Sequence, residues 1–161
     1  ALPICIVVTG DSTKSGQCVP HAWNIVNIDG EPYQLDVTWD IGTAKSRKII
    51  YDYFNLTDSL INLEHRAENI LPKCNKSSAN YFVKAKCDFH TRYGLSRYIQ
   101  KQIEQEKKEI FFRVNGLLKK ENIIDMINEI LRQKYQNTEV TRVGFSYNSN
   151  EKIGVYYIRI N

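Results

Sequence analysis

The sequence predicts an α+β protein in two parts, residues 1–88 and 89–161, and three features carry that expectation. An Asp29-Gly30 pair stands between alternating apolar segments, the strongest short-range signal of a β-hairpin, because both residues accept the positive φ of a type I′ turn. Ile123, Ile127, Ile130 and Leu131 recur at helical spacing within Lys119–Tyr135. Val140–Tyr147 and Lys152–Ile160 alternate in the period of strands. At 161 residues the chain can bury a real core, and its charged and aromatic content is that of a globular protein.

The elements follow in order. Ile4–Val8 is a continuous β-branched run and reads as a buried strand, with Cys5 inside it. Thr9–Gly16 carries Gly, Ser and Asp and reads as a loop. The hairpin then runs from about Ala22 to Trp39. Its two faces carry Ala22, Asn24, Val26, Tyr33, Leu35 and Val37 on one side and His21, Trp23, Ile25, Gln34, Asp36 and Thr38 on the other. Neither is wholly polar, which suits a sheet covered on both sides. Asn55-Leu56-Thr57-Asp58 supplies caps for a helix over Ser59–Glu68, and Pro72–Ser78 is a turn-rich connector. In the second part, Leu95–Lys107 reads as an amphipathic helix, Glu109–Val114 as a strand and Lys119–Tyr135 as the clearest helix. Two further strands flank an Asn148-Ser149-Asn150 turn. That α-β-α-β-β order suggests a small sheet backed by two helices.

Counting outward from Ile28 and Glu31 sets Trp23 opposite Asp36 and His21 opposite Thr38. His21 and Asp36 become diagonal neighbours that a planar side chain can bridge. A carboxylate at that distance fixes an imidazole's tautomer and stabilises its protonated form, the requirement of a general base. Trp23 and Trp39 read first as core residues, with Trp23 also shielding the His–Asp hydrogen bond from water. Asp40 reads as a turn-starting residue, His65 as a structural histidine in or near a short helix, and His90 as a surface residue.

Other chemistry has weaker support. Cys5, Cys18, Cys74 and Cys87 show no C-x-x-C spacing, so no metal or other cofactor is expected. Cys74 and Cys87 flank a loop and could pair in an oxidising compartment. Cys18 lies nearest His21 in sequence but reads as an ordinary loop thiol, with a nucleophile as the minor alternative, because Pro20 forces Val19 extended and no helix N-terminus activates the thiol. The net charge of +4 is spread out, and the short basic groups Lys45–Lys48 and Lys119-Lys120 read as solvated. No nucleic-acid partner and no membrane span are therefore expected.

His21-Ala22-Trp23-Asn24, followed by Leu35-Asp36-Val37-Thr38-Trp39-Asp40, resembles the transglutaminase-like (transglutaminase core) superfamily. Pro3–Gly10 also resembles that family, and Tyr53–Asp58, His65 and Asn80–Phe82 are similar to a bacterial subset of it. The likeness spans about the first half of the chain and fades after Phe82. It implies a papain-like fold and a Cys-His-Asp triad in which His21 and Asp36 serve as base and orienting acid. The implied substrates are protein or peptide amides, and the implied setting is the exterior or surface of a bacterium. The family's nucleophile, in a Gly-x-Cys-x-Gly-Tyr-like motif well upstream of the histidine, has no counterpart here. Beginning at Ala1-Leu2-Pro3 without a Met, the chain reads as a fragment of a longer protein. The expectation is thus a truncated papain-like core followed by a small α+β unit. The parent is expected to be a cysteine peptidase or acyltransferase; the alternative is a non-catalytic binding or scaffold module of the same fold.

Overall fold

The computed structural model describes residues 5–14, 16–43, 50–116, 118–139 and 143–161. It is a mixed α+β chain that divides into two compact units, Ala1–Ala85 and Lys86–Asn161.

The first unit holds a four-stranded antiparallel sheet of β1 (Cys5–Lys14), β2 (Gln17–Ile28), β3 (Glu31–Leu35) and β4 (His65–Ala67), in the order β3-β2-β1-β4. The β2–β3 turn is the Asp29-Gly30 hairpin: both residues have positive φ, 53° and 88°, and Ile28 pairs with Glu31. Asn27 Oδ1 accepts from the Gly30 amide at 2.9 Å and closes the turn.

Three local expectations are corrected. β1 does not stop at Val8 but continues to Lys14, because the Ser/Thr/Asp stretch pairs on both sides, with β2 throughout and with β4 at Gly10, Asp11 and Ser12. That strand buries one face only: Val8, Gly10 and Ser12 are buried, while Cys5, Val7 and Thr9 are exposed, so Cys5 is not a core residue and the sheet is open on that side. Secondly, β3 ends at Leu35, and Val37–Thr43 forms a helix, α1, where strand was expected. The cause is Asp36, whose Oδ1 accepts from the Trp39 amide at 3.0 Å, an N-cap geometry that outweighs the strand preference of Val37, Thr38 and Trp39. Thirdly, the helix expected over Ser59–Glu68 is a single turn, α2 (Asp58–Ile61), after which His65–Ala67 joins the sheet. Pairing with β1 overrides helical propensity there, and the Thr13 amide reaches the Glu64 carbonyl at 2.8 Å.

Gln34 and Leu56 exchange backbone hydrogen bonds, and Asp58 binds the backbone of Cys74 with its own amide and with Oδ2. Asn80 caps α3 (Tyr81–Lys84), which seats Phe82 in the interior; Tyr81 stacks on Tyr51.

The second unit contains β5 (Asp88–Phe89), α4 (Arg92–Glu104), β6 (Glu109–Val114), α5 (Lys120–Tyr135), β7 (Phe145–Asn150) and β8 (Val155–Ile160). Its sheet runs β5-β6-β8-β7, antiparallel except for the short β5–β6 pair. Thr91 caps α4, which buries Leu95, Ile99 and Ile103; α5 buries Ile123, Met126, Ile127 and Leu131, with Met126 where the sequence suggested Ile130. The strand expected at Val140–Tyr147 begins at Phe145 and extends through Asn150, residues 140–142 lying outside the described set, so the turn is Glu151–Gly154 rather than Asn148–Asn150. Gly154 is required there: its φ is 75°, and a Cβ would stand 2.0 Å from the Val114 carbonyl oxygen.

Candidate functional site

His21 sits on β2 and Asp36 at the junction of β3 and α1. Leaving the ladder does not separate them: His21 Nε2 and Asp36 Oδ2 are 2.6 Å apart. A second imidazole reaches the same oxygen. His65, on β4, places its Nε2 2.8 Å from Asp36 Oδ2. An ionised carboxylate only accepts, so both Nε2 atoms carry protons and donate. Asp36 thereby holds three hydrogen bonds, two at Oδ2 and the α1 cap at Oδ1. Burial alone would raise the Asp36 pKa, but the bonds from His65, the Trp39 amide and His21 outweigh it and hold the carboxyl below its ordinary value.

The protonation of Nε2 leaves Nδ1 of a neutral His21 as the basic atom. Among the described residues Nδ1 has no hydrogen bond, and the side chain keeps 12% exposure against 1% for Asp36. His21 can therefore take a proton from a group presented on its Nδ1 side, while Asp36 steadies the imidazolium.

Aromatic rings wall the site. Trp23 stacks along His21 with centroids 6.3 Å apart, and Trp39 lies 5.4 Å from His21. Trp23 Nε1 donates to Gln34 Oε1 at 2.8 Å, and Gln34 Nε2 donates to Asp58, which fixes the indole. Trp23 and Trp39 are core residues that also border the polar pair, as their sequence context suggests.

His65 is the member that sequence reasoning set aside as structural. It lies 29 positions from Asp36, and only the β1–β4 pairing brings it close, so no local pattern could have located it. Asp40 is not a turn residue: it is buried in α1 and accepts from the Tyr53 amide at 2.9 Å. Burial, reinforced by the charges of Asp52 and Asp36 against the Tyr53 hydrogen bond, pushes its pKa up to about 8.

Neither strand thiol of the first unit faces His21. Cys18 is in β2, not a loop, and three residues before His21 its side chain projects to the opposite face of the sheet. Cys5 is exposed, and Val26, its register partner on β2, is five residues from His21, again an odd interval. Cys74 and Cys87 are free and buried, not a disulfide; burial pushes their thiols up to about 12 and about 11. His90 is exposed, Lys120 pairs with Glu151 at 2.7 Å, and residues 45–48 lie outside the described set. No helix of the described residues is long and apolar enough to cross a membrane.

His21, Asp36 and His65 each turn one potential metal-ligating atom toward a common point. Their spacing argues for shared protons instead. Two ligands at about 2.0–2.1 Å from a tetrahedral zinc stand about 3.3 Å apart, well beyond the 2.6 and 2.8 Å found here. A ligating histidine also donates its other ring N–H to a partner, and His65 Nδ1 is buried without one among the described residues. The trio is a hydrogen-bonded carboxylate with two imidazoles.

The chain matches no protein-family model and no curated protein.

Proposed function

We propose that this chain carries the general-base half of a transglutaminase-like cysteine peptidase or acyltransferase, on a truncated papain-like core, acting on peptide or isopeptide amides. The observation that carries the reading is the 2.6 Å bond from His21 to a buried, ionised Asp36, with Nδ1 left without a hydrogen bond among the described residues. In this reading a thiol on the Nδ1 side passes its proton to His21, and the thiolate attacks the amide carbonyl. His21 then protonates the leaving amine, and water or an amine resolves the acyl-enzyme. Because Cys5 and Cys18 lie on the sheet face away from His21, the nucleophile in this reading is assigned to the parent protein rather than to these strands.

The same placement of the thiols favours a second reading, a binding or scaffold module that keeps the polar pair without chemistry. The experiment that separates them is an amide and isopeptide assay of the full gene product, with and without thiol alkylation. The enzyme reading expects alkylation to abolish turnover and His21→Ala to lower kcat by about 10³-fold or more, on the pattern of triads that act as a unit. Turnover that survives both treatments in a folded protein sinks the thiol–His21 mechanism, and no turnover on any amide sinks it in favour of the module. The chain of 161 residues alone is expected to be inactive, and Cys18→Ser is expected to change nothing.

A further inference from the structure

A general-base pair needs one histidine on its carboxylate, and Asp36 has two. We infer that His65 is a positioning residue, whose Nε2–H fixes the Asp36 carboxylate in its ionised state and in the orientation that His21 requires. Its role in catalysis rests on the reading of His21 as a base; its action on Asp36 does not.

The placement is built from the backbone upward. His21 and His65 stand on strands separated by β1, and where they converge β1 presents Gly10, paired with His21 on one side and Ala67 on the other. A Cβ at Gly10 would lie 2.1 Å from the Arg66 carbonyl oxygen, so the residue is held to glycine beside His21, while buried Ser12, two residues on, is the register partner of His65. The His65 ring is then fixed on several sides. Its centroid lies 4.5 Å from Trp39, 5.0 Å from Trp23, 5.4 Å from His21 and 5.7 Å from Tyr53. Its side chain is 0% exposed, so the bond to Asp36 is shielded from competing water.

Asp36 is consequently clamped at both oxygens. The Trp39 amide holds Oδ1, and His65 approaches Oδ2 from β4 while His21 approaches it from β2. Rotating the carboxylate toward either histidine alone would break the helix cap. A carboxylate so held stays charged when His21 gains its proton, because two of its three hydrogen bonds come from groups that take no part in the transfer. The titratable groups around this arrangement are His21 from β2, Asp36 and Asp40 at α1, and Tyr53, which donates to Glu64 at 2.5 Å. Asp52 completes the set through its coupling to Asp40.

The test follows the Asp36 side-chain carboxyl by ¹³C NMR titration of this chain in wild type, His65→Gln and His65→Phe. Loss of one hydrogen bond to a charged group is expected to raise the Asp36 midpoint by about one to two pH units in His65→Phe. Gln places an amide N–H where Nε2–H was and should restore most of the wild-type midpoint. Should the Phe variant fail to fold, His65→Asn is the substitute, since its shorter amide keeps polarity at the site but falls short of Oδ2, and the same rise is expected. A purely structural His65 would lower the melting temperature in folded variants and leave the Asp36 midpoint where it was; that outcome overturns the inference. It would leave the His21–Asp36 pair intact, whereas failure of the enzyme reading shows in the amide assay with the titration unaffected.

Discussion

The two units solve the same packing problem with different interiors. The second buries Ile, Leu, Val and Phe around an ion pair, Arg113 bound through Nε and an Nη to both oxygens of Asp88 at 3.0 and 2.7 Å. The first buries Gln34, Asp36, Asp40, Asp52, Asn55 and His65 among aromatic rings. Each such group costs desolvation and is tolerated only when its hydrogen bonds are made. An interior that accepts this at many positions depends on hydrogen bonds that an aliphatic one does not need. Buried polar groups concentrate in the unit with His21.

The largest stability effect should come from breaking the buried Arg113–Asp88 pair of the aliphatic interior. Asp88→Ala leaves the Arg113 guanidinium, 2% exposed, without its bidentate partner, and is expected to destabilise the second unit by about 3–5 kcal/mol in urea unfolding. Combining it with Arg113→Met should recover most of that loss, because apolar groups of similar volume often replace a buried pair without penalty. In the first unit the corresponding apolar exchange, Asp36→Leu with His65→Phe, is expected to keep the fold at best and abolish any His21-dependent turnover. Failure of the Arg113→Met rescue would mean that the ion pair of the second unit is more than structural, and the contrast between the units would dissolve.

A second prediction uses pH, which should act mainly on the first unit. The Asp36 pKa is lowered on folding, so its contribution is complete above the unfolded value near 3.8 and is lost as pH falls through the lower folded value. Asp40 has the opposite sign. Its pKa rises from 3.8 to about 8, so the native state binds more protons between those values and stability falls as pH rises through that window. The limiting slope is about 1.4 kcal/mol per pH unit for one group. Thermal melts of the first unit should therefore be highest near pH 4–5 and decline toward pH 8, and Asp40→Asn should flatten the alkaline side. A decline that persists unchanged in Asp40→Asn would assign it to another group.

The same contrast explains what was legible in the sequence. Local signals carried the second unit: α4 and α5 follow helical spacing, and β6 and β8 lie within a few residues of their expected positions. In the first unit the Asp29-Gly30 turn set the register from Ile28 and Glu31 out to Asn24 and Leu35. The pairs counted beyond it, Trp23 with Asp36 and His21 with Thr38, do not form, and the expected His21–Asp36 bond is made instead from the end of β3. Legibility ended where long-range contacts decided. Val37, Thr38 and Trp39 favour a strand, and only the cap made by Asp36 turns them into helix. His65–Ala67 carries no strand pattern of its own and becomes β4 because β1 has an unpaired edge at Gly10–Ser12. A cap three residues long was readable in principle from the Asp36-x-x-Trp39 spacing; the position of His65 was not.

The smallest predicted effect tests whether every buried polar group of the first unit serves the site. Ser12 is 1% exposed, and among the described residues its Oγ has no hydrogen-bond partner; its register partner on β4 is His65, whose Nδ1 has none among them either. A hydroxyl desolvated without a compensating bond costs about 1–3 kcal/mol by mutational measures, so Ser12→Ala should be neutral or stabilising by up to about 1 kcal/mol in urea unfolding. The exposed Ser146 on β7 gives the reference in the second unit, where Ser→Ala should fall within about 0.5 kcal/mol of zero. A loss of more than about 1 kcal/mol in Ser12→Ala would show that the hydroxyl hydrogen-bonds His65 Nδ1 in solution. Ser12 would then join His65, Asp36 and His21 in one polar chain running from β1 across the sheet, and the first unit would hold no idle polar group among these four. A neutral result confines the working set to the three side chains that meet at Asp36.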